Sequence, residues 1–429
     1  MQTTDPNLIT IPVTDLDDGD HDPFRVFDEG QGAGQPNPYP DWEDKRRHTP
    51  VEKFDLHAQI GLPYDADLPE SLRHSPATFT VFGYDEAVEV LQDNKRFSSD
   101  NYADIVGTLF GRSMLQMNDP EHRHNRALVA QAFRPKVLKR WQDELIQPIL
   151  DQMVDEFADK GEADLVEAFT FSFPVKVISG LLGVPLEHWE WYLRRTVEVI
   201  SLVQDWNRAQ KAADALKDYF TQIIELRRRE PTGDLISELV QAEIDGQKLT
   251  DAEILPFLML LSPAGAETTF RSTGNLLVGL FSNPDQYAAV LADRDLLPAA
   301  IEEAIRWEPP LVFIYRKATV DTAIGGVDIP AGSNIAVCLG SANRSKKTFG
   351  DDAEVFNIHR APAHHVAFAT GAHMCLGMHL ARMEMRAACN TLFDRLPNLR
   401  LDPEQADDVF IDGIVFRSPN RLPAIWDVT

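Results

Sequence analysis

Phe368-Ala-Thr-Gly371-Ala-His373-Met-Cys375-Leu-Gly377 places a cysteine in a glycine-bounded loop directly ahead of a segment with helical periodicity. The residues that follow, LGMHLARMEMRAACNTLF, bring Leu376, Leu380, Met383 and Ala387 onto one face, which predicts a helix starting at or just after Cys375. Unpaired N–H groups and the positive end of such a helix favour the thiolate, the form of cysteine that binds metal. Gly371 and Gly377 permit a tight turn and the close approach of something flat and large. Cys338, in the apolar run Ile335-Ala-Val-Cys-Leu, and Cys389, inside the helix, read instead as small buried hydrophobes.

Spelled F-x-x-G-x-H-x-C-x-G, the segment resembles the haem-binding loop of the cytochrome P-450 family. The resemblance implies haem b (iron protoporphyrin IX) as cofactor and Cys375 as its proximal metal ligand, a thiolate that favours O–O cleavage. Phe368, Gly371, His373 and Gly377 are then cofactor-binding residues of the loop.

Upstream, the helix predicted from about Asp251 to Phe281 carries Ala264-Gly265-Ala266-Glu267-Thr268-Thr269. Small residues at Ala264 and Gly265 allow a planar cofactor or O2 to approach the backbone, while an acid and an alcohol offer a proton path into a dry site. In the resembled family the matching pair does that work, which makes Glu267 and Thr268 the expected catalytic residues. Pro263 removes an N–H just before the small pair and is expected to bend or widen the helix.

Glu303 and Arg306 in Glu302-Glu303-Ala-Ile-Arg306-Trp307 stand on one helix face. They match the family's structural E-x-x-R pair, with Arg360 as the third partner. A buried haem needs donors for two propionates. The resemblance supplies His122 and Arg126 in Asp119-Pro-Glu-His122-Arg-His-Asn-Arg126, then Arg316, then His373.

The chain has 429 residues, a formal charge of −26 and three cysteines at unrelated spacings. No seam, repeat or low-complexity linker divides it. We expect an Asp-, Gly- and Pro-rich extended N-terminal arm over 1–35 and one large domain over 36–429, mainly α with small β-sheets, as in the cytochrome P-450 fold. Helical periodicity marks 136–159, 211–229, 251–282 and 285–306, and strand signals mark Ala77 to Tyr84 and Ala318 to Gly340.

No basic n-region with an apolar run opens the chain, and the longest apolar stretch, Ile254 to Ala266, is short and holds two prolines. A reducing cytoplasm is the expected location. The acidic balance argues against nucleic acid or an anionic membrane as partner. Against that background, Arg123, Arg126, Arg134, Lys136, Lys139 and Arg140 lie together with no acid between His122 and Gln142. In the resembled fold this segment lies on the Cys375 side, so an acidic ferredoxin-type redox partner is expected at Arg123, Arg134, Lys136, Lys139 and Arg140.

Segments that line the pocket in the family read Tyr102 to Phe110, Leu311 to Ile314 and Ile414 to Phe416, with Arg112 the only nearby cation. This composition points to a terpenoid, steroid-like or alkyl-aromatic substrate without an obligatory carboxylate. The expected activity is monooxygenation with O2 and external electrons. A peroxide-driven haem-thiolate peroxygenase and a non-catalytic haem sensor or carrier are the rivals.

Overall fold

The computed structural model describes residues 8–16, 21–54, 67 and 78–428. Helices dominate. Those that position the site are α1 (Pro23–Gly30), α2 (Tyr39–His48), α3 (Tyr84–Gln92), α4 (Glu121–Val129), α5 (Pro135–Trp141), α6 (Ser172–Leu181), α7 (Trp189–Ile200), α8 (Trp206–Arg229), α9 (Asp251–Phe281), α10 (Leu297–Trp307) and α11 (Met378–Arg395).

Strands β1 (Val51–Lys53), β2 (Thr78–Val81), β3 (Phe97–Ser98) and β4 (Phe313–Ala318) join one mixed sheet, and a hairpin follows from β5 (Thr322–Ile324) and β6 (Val327–Ile329). With β7 (Asn334–Cys338) the sheet order is β1-β2-β7-β4-β3, parallel only between β2 and β7. A second hairpin pairs β8 (Ile411–Asp412) with β9 (Ser418–Pro419).

The central helix α9 starts at a capping box, in which Glu253 reaches back to the Thr250 N–H. It continues unbroken through Pro256 and Pro263 for 31 residues, so Pro263 does not interrupt it. Its flank packs on α6, α8 and α10, and nearly all residues from Thr269 to Phe281 are buried. Such all-round burial suits a helix at the middle of a large core.

The segment 285–306 is two helices, not one. The first, Pro284–Ala292, stops at Asp293, whose carboxylate caps the Asp295 N–H, and Pro298 in the first turn of α10 suits a new helix start. The strand signal at Thr78 to Val81 forms β2, whereas Ala77 lies outside the described residues. The second strand signal resolves into β5, β6 and β7, with β4 beginning earlier, at Phe313.

The N-terminal segment departs from the extended arm expected over 1–35, of which 1–7 and 17–20 lie outside the described residues. Asp22 accepts N–H groups from Phe24 and Arg25 and, with Pro23 at the first position, starts α1. Ile9, Leu16 and Phe27 are buried in the main core. Polar contacts stitch residues 10–16 and His21 to α7 and α8. Thr10 exchanges hydrogen bonds with Gln222, Asp15 pairs with Lys211 at 2.6 Å, Arg208 donates to Leu16 O, and Arg194 donates to His21 O at 3.0 Å.

Candidate functional site

The Cys375 loop is fixed by backbone geometry. Cys375 N donates to Phe368 O at 2.8 Å and Met374 N to Gly371 O at 3.2 Å. Gly371 has φ +78, and a Cβ there would lie 2.4 Å from the carbonyl oxygen of Leu91 at the end of α3, so only glycine fits. That glycine answers to protein, not to a flat ligand. Gly377 is the opposite case, with φ −82 and open space where a Cβ would project.

The helix begins at Met378, three residues later than the periodicity predicts, and Gly377 is its N-cap. Cys375 is exposed at the loop face. Burial of its surroundings pushes the thiol pKa up, opposed by the Gly377 and Met378 N–H groups and by Arg126 and Arg382. In the direction of that shift burial outweighs the helix start.

Around this loop gathers a set of arginines and histidines. Arg126 donates to Met374 O at 2.6 Å. The rings of His122 and His373 stack with centroids 4.0 Å apart. Arg316, on β4, is buried and donates to Tyr315 O. His373 is pushed down to about 3 by burial, then by His122, Arg316 and Arg126. Burial, and next Arg126, also depresses His122, whose buried Nε2 has no hydrogen-bond partner. Asp119, 3.8 Å from His122 and half exposed, is a poor counterweight for two arginines. Clustered buried donors with an orphaned ring nitrogen fit a ligand that brings carboxylates, as the two propionates of a haem would.

The structural pair behind the loop is complete. Glu303 accepts from Arg306 at 2.7 and 2.8 Å, from Arg360 at 3.2 and 3.3 Å and from Asn357 N at 2.8 Å. Arg306 also donates to the carbonyls of Asn343, Ala353 and Val355. Asn343 in turn accepts the Val366 N–H, two residues ahead of Phe368. Arg360 is thus the third partner.

The profile of the family described as Cytochrome P450 matches residues 187–421. The chain belongs to that family. It is 35% identical over 372 residues to the putative cytochrome P450 YjiB of Bacillus subtilis, covering 85% of this chain and 88% of the relative. It is also 35% identical to the cytochrome P450 monooxygenase PikC of Streptomyces venezuelae over 81% of this chain and 84% of that one. Among solved structures, CYP109E1 of Bacillus megaterium in complex with testosterone is 32% identical, with TM-score 0.78 over 91% of this chain and 100% of that one. The polyketide-synthase cytochrome P450 PksS of Bacillus subtilis gives TM-score 0.82 at 29% identity over 95% and 100%.

This cytochrome P450 is an oxidoreductase of the monooxygenase kind, and its family binds haem b. Among the described residues no helix is long and apolar enough to cross a membrane.

On α9 the expected residues divide. Ala264 is exposed. Gly265 does not face the same way, because a Cβ there would sit 2.9 Å from Ile178 Cδ1. Its missing side chain lets α6 approach α9, a packing reason for glycine at this position. Thr268 Oγ1 donates to Ala264 O at 3.0 Å, so its only proton stays within the helix and it offers lone pairs outward. Glu267 is largely buried, its pKa raised by desolvation against the lowering effect of Arg271. Arg271 Nε donates to Glu267 Oε1 at 2.6 Å, and no hydrogen bond from the described residues reaches Glu267 Oε2.

Arg271 escaped the sequence reading, although its i, i+4 spacing from Glu267 signals a pair. It borders a cavity of about 280 Å³ walled by Phe24, Phe27, Phe171, Phe270 and Phe416 and reached by Glu267. Arg112, by contrast, is two-thirds exposed and pairs with Glu121. Of the expected lining, Phe416 faces this cavity. Val312 and Phe313 are buried in core with Tyr39 and Trp42, and Leu109 and Phe110 join the helical core.

In the basic segment Arg123, Arg134, Lys136 and Lys139 are exposed. Lys139 pairs with Asp143 at 2.7 Å. Arg140 turns inward to Glu238 at 2.9 Å and Gly233 O at 2.8 Å, so it contributes little free charge outside.

Proposed function

We propose that this cytochrome P450 hydroxylates a hydrophobic small molecule of terpenoid, steroid-like or alkyl-aromatic kind, with O2 and electrons delivered singly by an acidic ferredoxin-type partner. The observation that carries this reading is the Cys375 loop with Arg126, His122, His373 and Arg316 gathered beside it. The phenylalanines beside Glu267 suit apolar rings and chains, and an acid whose pKa is raised by desolvation can supply what oxygen activation consumes. The binding of testosterone and corticosterone by the similar CYP109E1 supports the steroid-like end of the range.

In this reading Cys375 ligates the iron, and His122, Arg126, Arg316 and His373 hold the propionates. Phe368, Gly371 and Gly377 shape the loop, and Ala264 borders the oxygen side. The haem, when bound, supplies the redox chemistry. The chain's own residues do the rest. Glu267 holds a proton at Oε2, Thr268 accepts a hydrogen bond at its hydroxyl oxygen, and the phenylalanines exclude water. Arg123, Arg134 and Lys136, with Lys139, form the partner-facing patch, while Arg140 serves the α5 contact behind it. Residues 36–429 make the haem domain, residues 1–35 a segment added to it, and the cytoplasm is the compartment.

The reduced carbon monoxide spectrum tests the ligand. A red-shifted thiolate Soret band that disappears in Cys375→Ala is expected, and its retention sinks the assignment. A spin-state titration with testosterone and a panel of apolar compounds tests the substrate class. Product formation from peroxide that is indifferent to Thr268→Ala turns the reading to a peroxygenase. NADH that is never consumed, despite a reducible haem, turns it to a sensor or carrier.

A further inference from the structure

Arg271 has five N–H donors and spends them on three different elements. Nε goes to Glu267 on its own helix at 2.6 Å, Nη2 to Asp28 Oδ1 on α1 at 2.9 Å, and Nη1 to Ser418 Oγ on β9 at 2.8 Å. Its plane lies against Phe270, 4.7 Å from the ring centroid, with Phe416 at 5.7 Å and Phe27 at 6.0 Å. The arginine side chain is only 6% exposed, Glu267 is 12% exposed, and Asp28 is 55% exposed. One buried cation therefore serves two carboxylates, an inner one on α9 and an outer one from a segment that precedes the matched family region.

We propose that Asp28 is a positioning residue for the acid Glu267, acting through Arg271. This rests on the role proposed for Glu267 above. By holding one side of the guanidinium, Asp28 fixes the arm that Arg271 extends to Glu267 Oε1 and leaves Oε2 free for the proton. It also divides the arginine's charge between two acids, so that Glu267 is not locked as a fully paired carboxylate.

The groups that face Glu267 are few. Arg271 comes from α9, Asp28 from α1 and Ser418 from β9. Asp412 on β8 has its carboxylate turned to the Gly34 and Gly413 N–H groups. Val197 on α7 and Phe171 at the start of α6 close the apolar side. The negative charge of Asp28 raises the Glu267 pKa and Arg271 lowers it, with burial the largest effect. Removing the Asp28 charge thus shifts Glu267 down.

The test is a pH titration of the protonated-carboxyl infrared band in the holoenzyme, with E267Q used to identify the Glu267 signal. Asp28→Asn is expected to lower the Glu267 midpoint by about one pH unit. Glu29→Gln, which removes an exposed carboxylate of the same helix that pairs with Arg25 and not with Arg271, is expected to leave the midpoint in place. An unshifted midpoint in Asp28→Asn overturns the proposal. So does an equal shift in Glu29→Gln, or the absence of any Glu267 band between pH 4 and 9 in the unmodified protein.

A second readout is hydrogen peroxide released per NAD(P)H oxidised with testosterone as probe. It is expected to rise about threefold in Asp28→Asn, with the dependence displaced to lower pH. If E267Q itself leaves peroxide release unchanged, the role of Glu267 fails, whatever the infrared midpoint does.

Discussion

Replacing Arg306 with alanine removes five hydrogen bonds from the interior, two to Glu303 and one each to the carbonyls of Asn343, Ala353 and Val355. Breaking a buried ion pair costs about 3–5 kcal/mol. Glu303 keeps Arg360 and Asn357 N, so the lower end, about 3 kcal/mol, applies to the pair. Val355 O keeps a donor in Arg360, leaving two carbonyls orphaned at about 1 kcal/mol each. The sum is about 5 kcal/mol, against a net stability of about 5–15 kcal/mol for a folded domain. Because Asn343 passes the restraint on to Val366, the first consequence falls on the Cys375 loop.

Arg306→Ala is therefore expected to accumulate with little haem and no thiolate Soret band. Arg306→Lys, which keeps charge but loses the fork, is expected to lie between it and the parent. Guanidinium unfolding followed by circular dichroism measures the cost, and a cycle with Glu303→Gln isolates the pair, with an expected coupling of about 2 kcal/mol. A single-site cost under about 1 kcal/mol, with haem retained, would refute the ledger, because no arrangement of these five bonds is worth so little once buried.

Gly371→Ala combines a left-handed backbone with overlap against Leu91 O, and should cost about 3 kcal/mol and the thiolate band, whereas Gly377→Ala should change the unfolding free energy by no more than about 0.5 kcal/mol. Glu384 is buried on α11, has an unpartnered Oε2, and has its pKa raised by desolvation. Its folded pKa lies above the unfolded one, so stability falls as pH rises above about 4.3, by up to about 1.4 kcal/mol per pH unit until the folded pKa is reached. Glu384→Gln should flatten that slope in urea melts taken from pH 5 to 8, and an unchanged slope counts against a neutral Glu384. Charge reversal at Arg134 or Lys136 should slow reduction by an acidic ferredoxin about tenfold at low salt and little at high salt, while Arg140→Glu should act on stability through Glu238.

Much of the proximal side was legible in the chain because its information is local. The cysteine loop, the i, i+3 pair at Glu303 and Arg306, and the His122 and Arg126 spacing each fit within one turn or loop, and the fold brought them together as expected. The packing role of Gly265 was not legible because the rotation of a helix about its axis is set by what packs on it, here Ile178 of α6. The Asp28 contact spans 243 positions, a separation at which pattern carries no signal. The α1 helix could have been found, since Asp22-Pro23 is a helix-start signal with Phe24 and Phe27 one turn apart. The run of Asp, Gly and Pro around it concealed that pattern.

The polar stitching of residues 10–16 and His21 to the helices α7 and α8 bears on how the molecule fluctuates. These bonds tie an irregular segment to α8 at Arg208, Lys211 and Gln222 and to α7 at Arg194, so the segment and the two helices are coupled at this corner. Local opening of that corner becomes one cooperative event, and amides of residues 10–16 and of both helices should exchange with solvent deuterium at a common rate. Several of the stitches end on exposed groups, such as Lys211 at 52% and Asp15 at 72%, so added salt should raise that common rate while the exchange of α9 stays slow.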